Sequence, residues 1–172
     1  MSKNSSEPIL LDSDVVRHFL NGNQLDKLAL IYPRRLVLLD KVKKELCLSK
    51  SLVNPVNDFI TNHNIIELAF PADQTIIMEY AYLRRDFGEG ESACMAVAKY
   101  QKQFIASSNL KDIKAFCVKN NITYLTTVDI LWNAYEIKVM SESECEAFLK
   151  DVLASGSKLP FSNFSALKDA KA

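Results

Sequence analysis

Short apolar runs at Ile9–Leu11, Leu36–Leu39, Ile65–Phe70, Phe104–Ala106 and Ile122–Leu125 alternate with segments of helical periodicity. An apolar run this short, closed by a turn or cap signal, suits a strand buried on both faces. Strands that alternate with helices of ten or more residues run mainly parallel, because a parallel connection needs a crossover. The pattern therefore predicts an α/β domain with a mainly parallel central sheet. Its functional crevice is expected outside the carboxyl ends of the strands, at a topological switch point.

The helices have readable boundaries. One begins at Ser13 or Asp14, carries Val15, Val16, Phe19 and Leu20 on one face, and ends at Asn21-Gly22-Asn23. A short helix covers Leu25 to Ile31, and another carries Val42, Glu45 and Leu46. Leu52 to His63 reads as a helix with Pro55 near its start. Asp73 is expected to cap a helix reaching Leu83. Gly88-Glu89-Gly90-Glu91 reads as a tight turn into a helix lined by Ala93, Cys94, Val97 and Ala98. Leu110 to Lys119 is helical, and Thr126/Asp129 and Ser141/Glu144 resemble capping boxes, the second opening a helix to about Ala154. Residues 1–8 are expected to be disordered, 9–154 to form one domain, and 155–172, where periodicity fades, to be a flexible or loosely docked tail.

Twenty-one basic and twenty-one acidic residues give zero formal charge. That disfavours a strongly basic nucleic-acid coat protein and leaves room for a local basic patch. Cys47, Cys94, Cys117 and Cys145 lack the paired spacing of a zinc site and read as buried thiols. With no signal peptide and no run of transmembrane length, the expectation is a protein of the reducing cytoplasm with no membrane role. His18 and His63 are isolated and not at ligand spacing.

The chemistry resides in acids. A Walker lysine motif, a G-x-S-x-G elbow and a full dinucleotide fingerprint are all missing, as Gly88-x-Gly90 has no third glycine. Asp12 follows an apolar strand directly, where an unpaired carboxylate is costly to desolvate. Such an acid caps a helix or binds a cation. Asp14 suits a helix cap or first turn, and Glu89 a solvated first turn. Glu45, beside Lys43 and Lys44, suits a charged helix face or a site. Glu91 lies between flexible glycine backbone and a run of small residues, which lets its carboxylate reach a crevice.

The order of these parts resembles the PIN-domain family, which includes many prokaryotic toxin ribonucleases. Leu10-Leu11-Asp12-Ser13-Asp14-Val15 is similar to the family's strand-terminal acid motif, and Val42-Lys43-Lys44-Glu45-Leu46 to its second acid. Gly88-Glu89-Gly90-Glu91-Ser92-Ala93 resembles the branch that writes its third acid as Gly-Glu-Gly-Glu before alanines. Leu125-Thr126-Thr127-Val128-Asp129-Ile130-Leu131-Trp132-Asn133-Ala134 is similar to the same branch's continuation.

The resemblance implies a three-layer α/β/α sandwich and a metal-dependent ribonuclease, the toxin of a toxin–antitoxin pair. Asp12, Glu45 and Glu91 would bind Mg²⁺ or Mn²⁺, with Asn109 completing the catalytic set. Asp14, Ser107 and Asp112 would form a second shell or position phosphate, and Lys43, Lys44, Arg84 and Arg85 would steer RNA. The implied partners are RNA, an antitoxin protein and a second copy of the chain. The sequence departs from the pattern after the fourth strand, where Asn109 stands in place of an acid and Asp112 lies one turn further on. An amide supplies no charge. Two rivals follow: a catalytically weakened PIN-like binding or regulatory module, and a structural α/β protein whose acids only cap helices.

Overall fold

In the computed structural model, residues 6–172 are described. The expected disorder at the N-terminus falls in part on residues 1–5, which lie outside the described residues. Glu7 and Pro8 already touch the domain: the Glu7 carbonyl accepts from Arg35 and the Pro8 carbonyl from the Phe104 amide.

The five strands are β1 (Ile9–Leu11), β2 (Leu36–Leu39), β3 (Ile66–Leu68), β4 (Phe104–Ala106) and β5 (Tyr124–Leu125). They form one sheet in the order β3-β2-β1-β4-β5, every pairing parallel. Ile9, Leu10 and Leu11 of the central strand are fully buried, as expected of a sheet covered on both faces. The result is the PIN-like α/β/α sandwich. With the strands parallel, all their carboxyl ends emerge along one edge. The order reverses direction between β1's two neighbours, so a crevice opens beyond β1 and β4.

Ten helices connect and cover the strands among the described residues. They are α1 (Ser13–Asn21), α2 (Leu25–Ile31), α3 (Asp40–Cys47), α4 (Lys50–His63), α5 (Gln74–Leu83), α6 (Glu89–Gln101), α7 (Leu110–Asn120), α8 (Thr127–Glu136), α9 (Glu142–Ala154) and α10 (Phe164–Lys171). Helix α6 is the pivot. Every residue from Gly90 to Ala98 is buried, and the helix touches β1, β2 and β4 as well as α3, α5 and α7. Its small side chains permit that close approach on several sides.

Several boundaries differ from those expected, each for a local reason. Helix α4 starts earlier, at Lys50, so Pro55 lies inside it, where its missing N–H removes one helical hydrogen bond. Strand β3 ends at Leu68 because the Phe70 amide turns to the Asp40 carboxylate (3.1 Å). Gly88-Glu89-Gly90-Glu91 is no tight turn: Gly88 is the N-cap and α6 begins at Glu89. Asp12, not Asp14, caps α1. The Asp73 cap and both capping boxes form as expected.

Residues 155–172, where periodicity fades, carry a helix too short for its pattern to stand out. Phe164 and Leu167 of α10 are buried. The Asn163 side chain caps the helix, the Phe164 amide donates to Glu146, and Lys168 and Lys171 pair with Glu142 and Asp129. Phe164 also closes an aromatic cluster with Trp132 and Tyr135.

Candidate active site

The acids converge at the carboxyl ends of β1 and β4. Asp12 leaves β1 with its amide still bonded to the Ala106 carbonyl, and one carboxylate oxygen accepts from the Ser13 amide at 2.7 Å. This cap satisfies one helix-terminal donor, yet the carboxyl group is buried. Burial, then the Asp14 charge, pushes Asp12 up to about 8, with Glu91 adding to the shift and the Ser13 amide opposing it.

Glu45 comes from α3, directly after β2. Ser13 Oγ donates to its Oε1 at 2.6 Å and the Gly90 amide to its Oε2 at 3.1 Å. One carboxylate thus joins the first turns of α1 and α6. Gly90 makes this possible, since a Cβ there would meet Glu45 Oε2 at 2.8 Å and Val42 Cγ2 at 3.2 Å. The glycine serves close approach inside a helix rather than a turn.

Glu91 follows in the same turn of α6. Burial first, then the charges of Asp112, Asp14 and Glu45, pushes it up to about 7. Asp14, on α1, accepts from the Ser108 amide at 2.8 Å and from Ser107 Oγ at 3.5 Å, all at one oxygen. Burial raises its carboxyl above the ordinary range. Asp14 Oδ1 and Glu91 Oε1 are both buried with no hydrogen-bond partner.

The corner after β4 is rearranged relative to expectation. Asn109 is exposed, and its side-chain amide donates to Asp112 Oδ2 at 2.7 Å. Asp112 is the charge that acts most strongly on Glu91. The acid in the first turn of α7 thus adds its charge to the cluster, while Asn109 is bonded to it.

The basic residues have separate engagements. Lys43 pairs with Glu67 at 2.6 Å, and Lys41 and Lys44 each lie 3.7 Å from Glu89, a surface acid rather than a member of the cluster. Lys44 remains largely exposed. Arg84 donates to the Phe87 carbonyl and Arg85 stacks on Tyr82. The four cysteines are free thiols, Cys47 half-buried and the others buried. His63 pairs with Asp26 at 2.8 Å.

Sequence reasoning missed Ser13 as the link to Glu45, and Gly90 as the gap that admits it. It also missed His18, whose buried ring reaches Thr127 behind the acids. No spacing rule signals these contacts, because each depends on how two helices pack.

Buried carboxylates with unpartnered oxygens and mutual repulsion call for a proton or a cation. The cluster fits a hard divalent cation: its donors are all oxygen, and two carboxylate oxygens remain open. Among the described residues, no three His, Cys, Asp or Glu side chains form a ready-made ligand set. The acids surround a common region without already closing on one point.

No family model matches the sequence, and no curated protein matches it. The chain is similar in structure to a chain in the crystal structure of VapBC2 from Rickettsia felis bound to a DNA fragment from their promoter. The TM-score is 0.53 at 14% identity, with 69% of this chain and 97% of that one covered. At that identity the likeness is one of fold. Among the described residues, no helix is long and apolar enough to cross a membrane.

Proposed function

We propose that the protein is a metal-dependent ribonuclease and the toxin component of a toxin–antitoxin pair. The observation that carries this reading is the convergence of the Asp12, Asp14 and Glu91 carboxyls on one buried region, with the half-buried Asp112 at its margin. Three of these are raised above their ordinary carboxyl range, and two oxygens lack a partner. An acid that only caps a helix has no need of such neighbours.

In this reading Asp12, Glu45 and Glu91 hold Mg²⁺ or Mn²⁺. The bound ion supplies charge neutralisation at the phosphodiester and lowers the pKa of water. Glu45 is held by Ser13 and Gly90, so its carboxylate stays fixed when the others are drawn in. Asp14 and Asp112 orient the cluster, Ser107 faces the phosphate, and Asn109 acts by bracing Asp112. The observation at Asp112 favours an active enzyme over the weakened binding module, since the charge missing at Asn109 is restored one turn on.

RNA is the substrate proposed, steered by Lys44, Arg84 and Arg85, with Lys43 held back by Glu67. With zero formal charge, affinity should be modest and salt-sensitive. The fold it shares with a VapBC2 chain supports an antitoxin protein as partner, shielding the acidic crevice. A homodimer and a cytoplasmic setting belong to the same proposal.

The test is a Mn²⁺ titration of RNA cleavage by the purified chain, with Asp12→Asn and Glu91→Gln as controls. Cleavage that depends on metal and disappears in both variants supports the reading. Metal binding without cleavage favours the binding module, and neither binding nor cleavage removes the enzyme.

A further inference from the structure

Behind the acids lies a hydrogen-bond chain that starts and ends on α1. His18 is buried near the end of that helix, and its Nδ1 is 2.8 Å from Thr127 Oγ1. Thr127 Oγ1 is 2.5 Å from Ser108 Oγ, and the Thr127 amide donates to Ser108 Oγ at 3.0 Å. The Ser108 amide donates to Asp14 Oδ2 at 2.8 Å. Thr127 is fully buried, so a lost partner there leaves a polar group without water.

We propose that His18 is a positioning residue for the acidic site: through Thr127 and Ser108 it fixes the backbone amide that holds Asp14. With Nδ1 as acceptor the donors run in one direction. Ser108 donates to Thr127, Thr127 donates to His18, and Ser108 Oγ still accepts from the Thr127 amide. Burial holds His18 below its ordinary value, so the neutral ring that this arrangement requires is favoured.

The geometry explains why a histidine serves here rather than an apolar residue. Helix α1 carries Asp14 at its start and His18 one turn later, both on the side facing the β4 and β5 exits. The loop after β4 is thereby pinned at Ser108 from two points of one helix. Asp14 Oδ2 is fixed by this pin, which leaves Oδ1 the open atom. Outer-shell contacts of this kind commonly set how well a ligand group is oriented.

The positioning stands on these contacts alone, and its consequence for metal binding rests on the ribonuclease reading. The test uses the intact, metal-free protein and follows exchange of the Ser108 amide by NMR. It compares wild type with His18→Ala, His18→Asn and His18→Gln. Asn places its amide near the position of Nδ1, whereas Gln reaches toward Nε2.

His18→Ala should speed Ser108 exchange about fivefold or more, the scale of one lost hydrogen bond. His18→Asn should restore it and His18→Gln should not. Mn²⁺ affinity, measured by calorimetry on the same proteins, should fall about 10–100-fold in the Ala variant and recover in Asn. Unchanged Ser108 exchange in His18→Ala, or equal behaviour of Asn and Gln, overturns the proposal. If Ser108 responds as expected but wild type binds no divalent cation, the positioning stands and the ribonuclease reading falls.

Discussion

Acids at the β1/β4 edge and acids at the starts of α8 and α9 shift in opposite directions. Burial and like charge push Asp12 up to about 8 and Glu91 to about 7. Asp129 is also opposed by burial, but the Thr126 hydroxyl and Lys171 outweigh it and hold it below its ordinary value. Glu144 is held low by the Ser141 amide and by Lys27. Both groups sit at helix N-termini, so the helix dipole does not distinguish them. Partners do. The capping-box acids accept from the groups they need, whereas the site acids face one another. The first arrangement stabilises the fold, and the second stores repulsion that a cation can release.

The largest expected effect breaks the site side of this contrast. Asp12→Asn should reduce metal-dependent RNA cleavage by about 100-fold or more, the scale of losing one charged transition-state contact. It should leave the metal-free protein as stable or raise Tm by about 2–4 °C per kcal/mol of relieved repulsion. Kinetics and thermal melts on one preparation check both. A variant that loses cleavage and also melts early would place Asp12 with the structural acids.

Next is the pH response of the metal-free protein. A carboxyl raised in the folded state contributes stability below its unfolded value, and that stability is lost as pH rises through the folded value. The loss should therefore run progressively from the ordinary carboxyl range and be complete by about pH 7 to 8, with Tm lower at pH 9 than at pH 6, and added Mg²⁺ or Mn²⁺ should flatten the slope. Asp129 has the opposite sign: its stabilisation is present at neutral pH and is lost as pH falls below the ordinary carboxyl range. Melts across pH with and without metal separate the two sets.

A third prediction concerns Gly90. Gly90→Ala should destabilise by about 1–3 kcal/mol through overpacking against Glu45 and Val42. Urea melts give the stability, and cleavage should fall with it as the Gly90 amide is pushed off Glu45. The smallest effect is expected from Thr126→Ala, which removes a cap worth about 1 kcal/mol and should leave cleavage per folded molecule unchanged.

What was legible in the sequence follows from what is local. The apolar runs and caps at Asp73, Thr126 and Ser141 depend on neighbours a few residues away, and the structure reproduces them. The parallel α/β sheet follows from that alternation, whereas the PIN-like sandwich was implied by the resemblance of the acid motifs. The strand-terminal position of Asp12 was visible, and with it the choice between cap and cation ligand, but which acid caps α1 was not, because Asp14 is an equally good capping residue by type. Asp112 was ambiguous for a different reason: the direction of α7 decides where it points. Ser13, Gly90 and His18 were invisible as site residues, since their contacts cross 32, 45 and 109 positions of chain. Helix α10 escaped notice because eight residues give little more than two turns of pattern.

Raised carboxyls that serve as a cation site must give up protons when the ion binds. Calorimetric titration of Mn²⁺ at pH 7, in two buffers of different ionisation enthalpy, tests this most directly. With Asp12 near 8 and Glu91 near 7, both are partly protonated before binding, so the account predicts saturable binding with net proton release that diminishes in Asp12→Asn. Binding without proton release, or no binding, would contradict it.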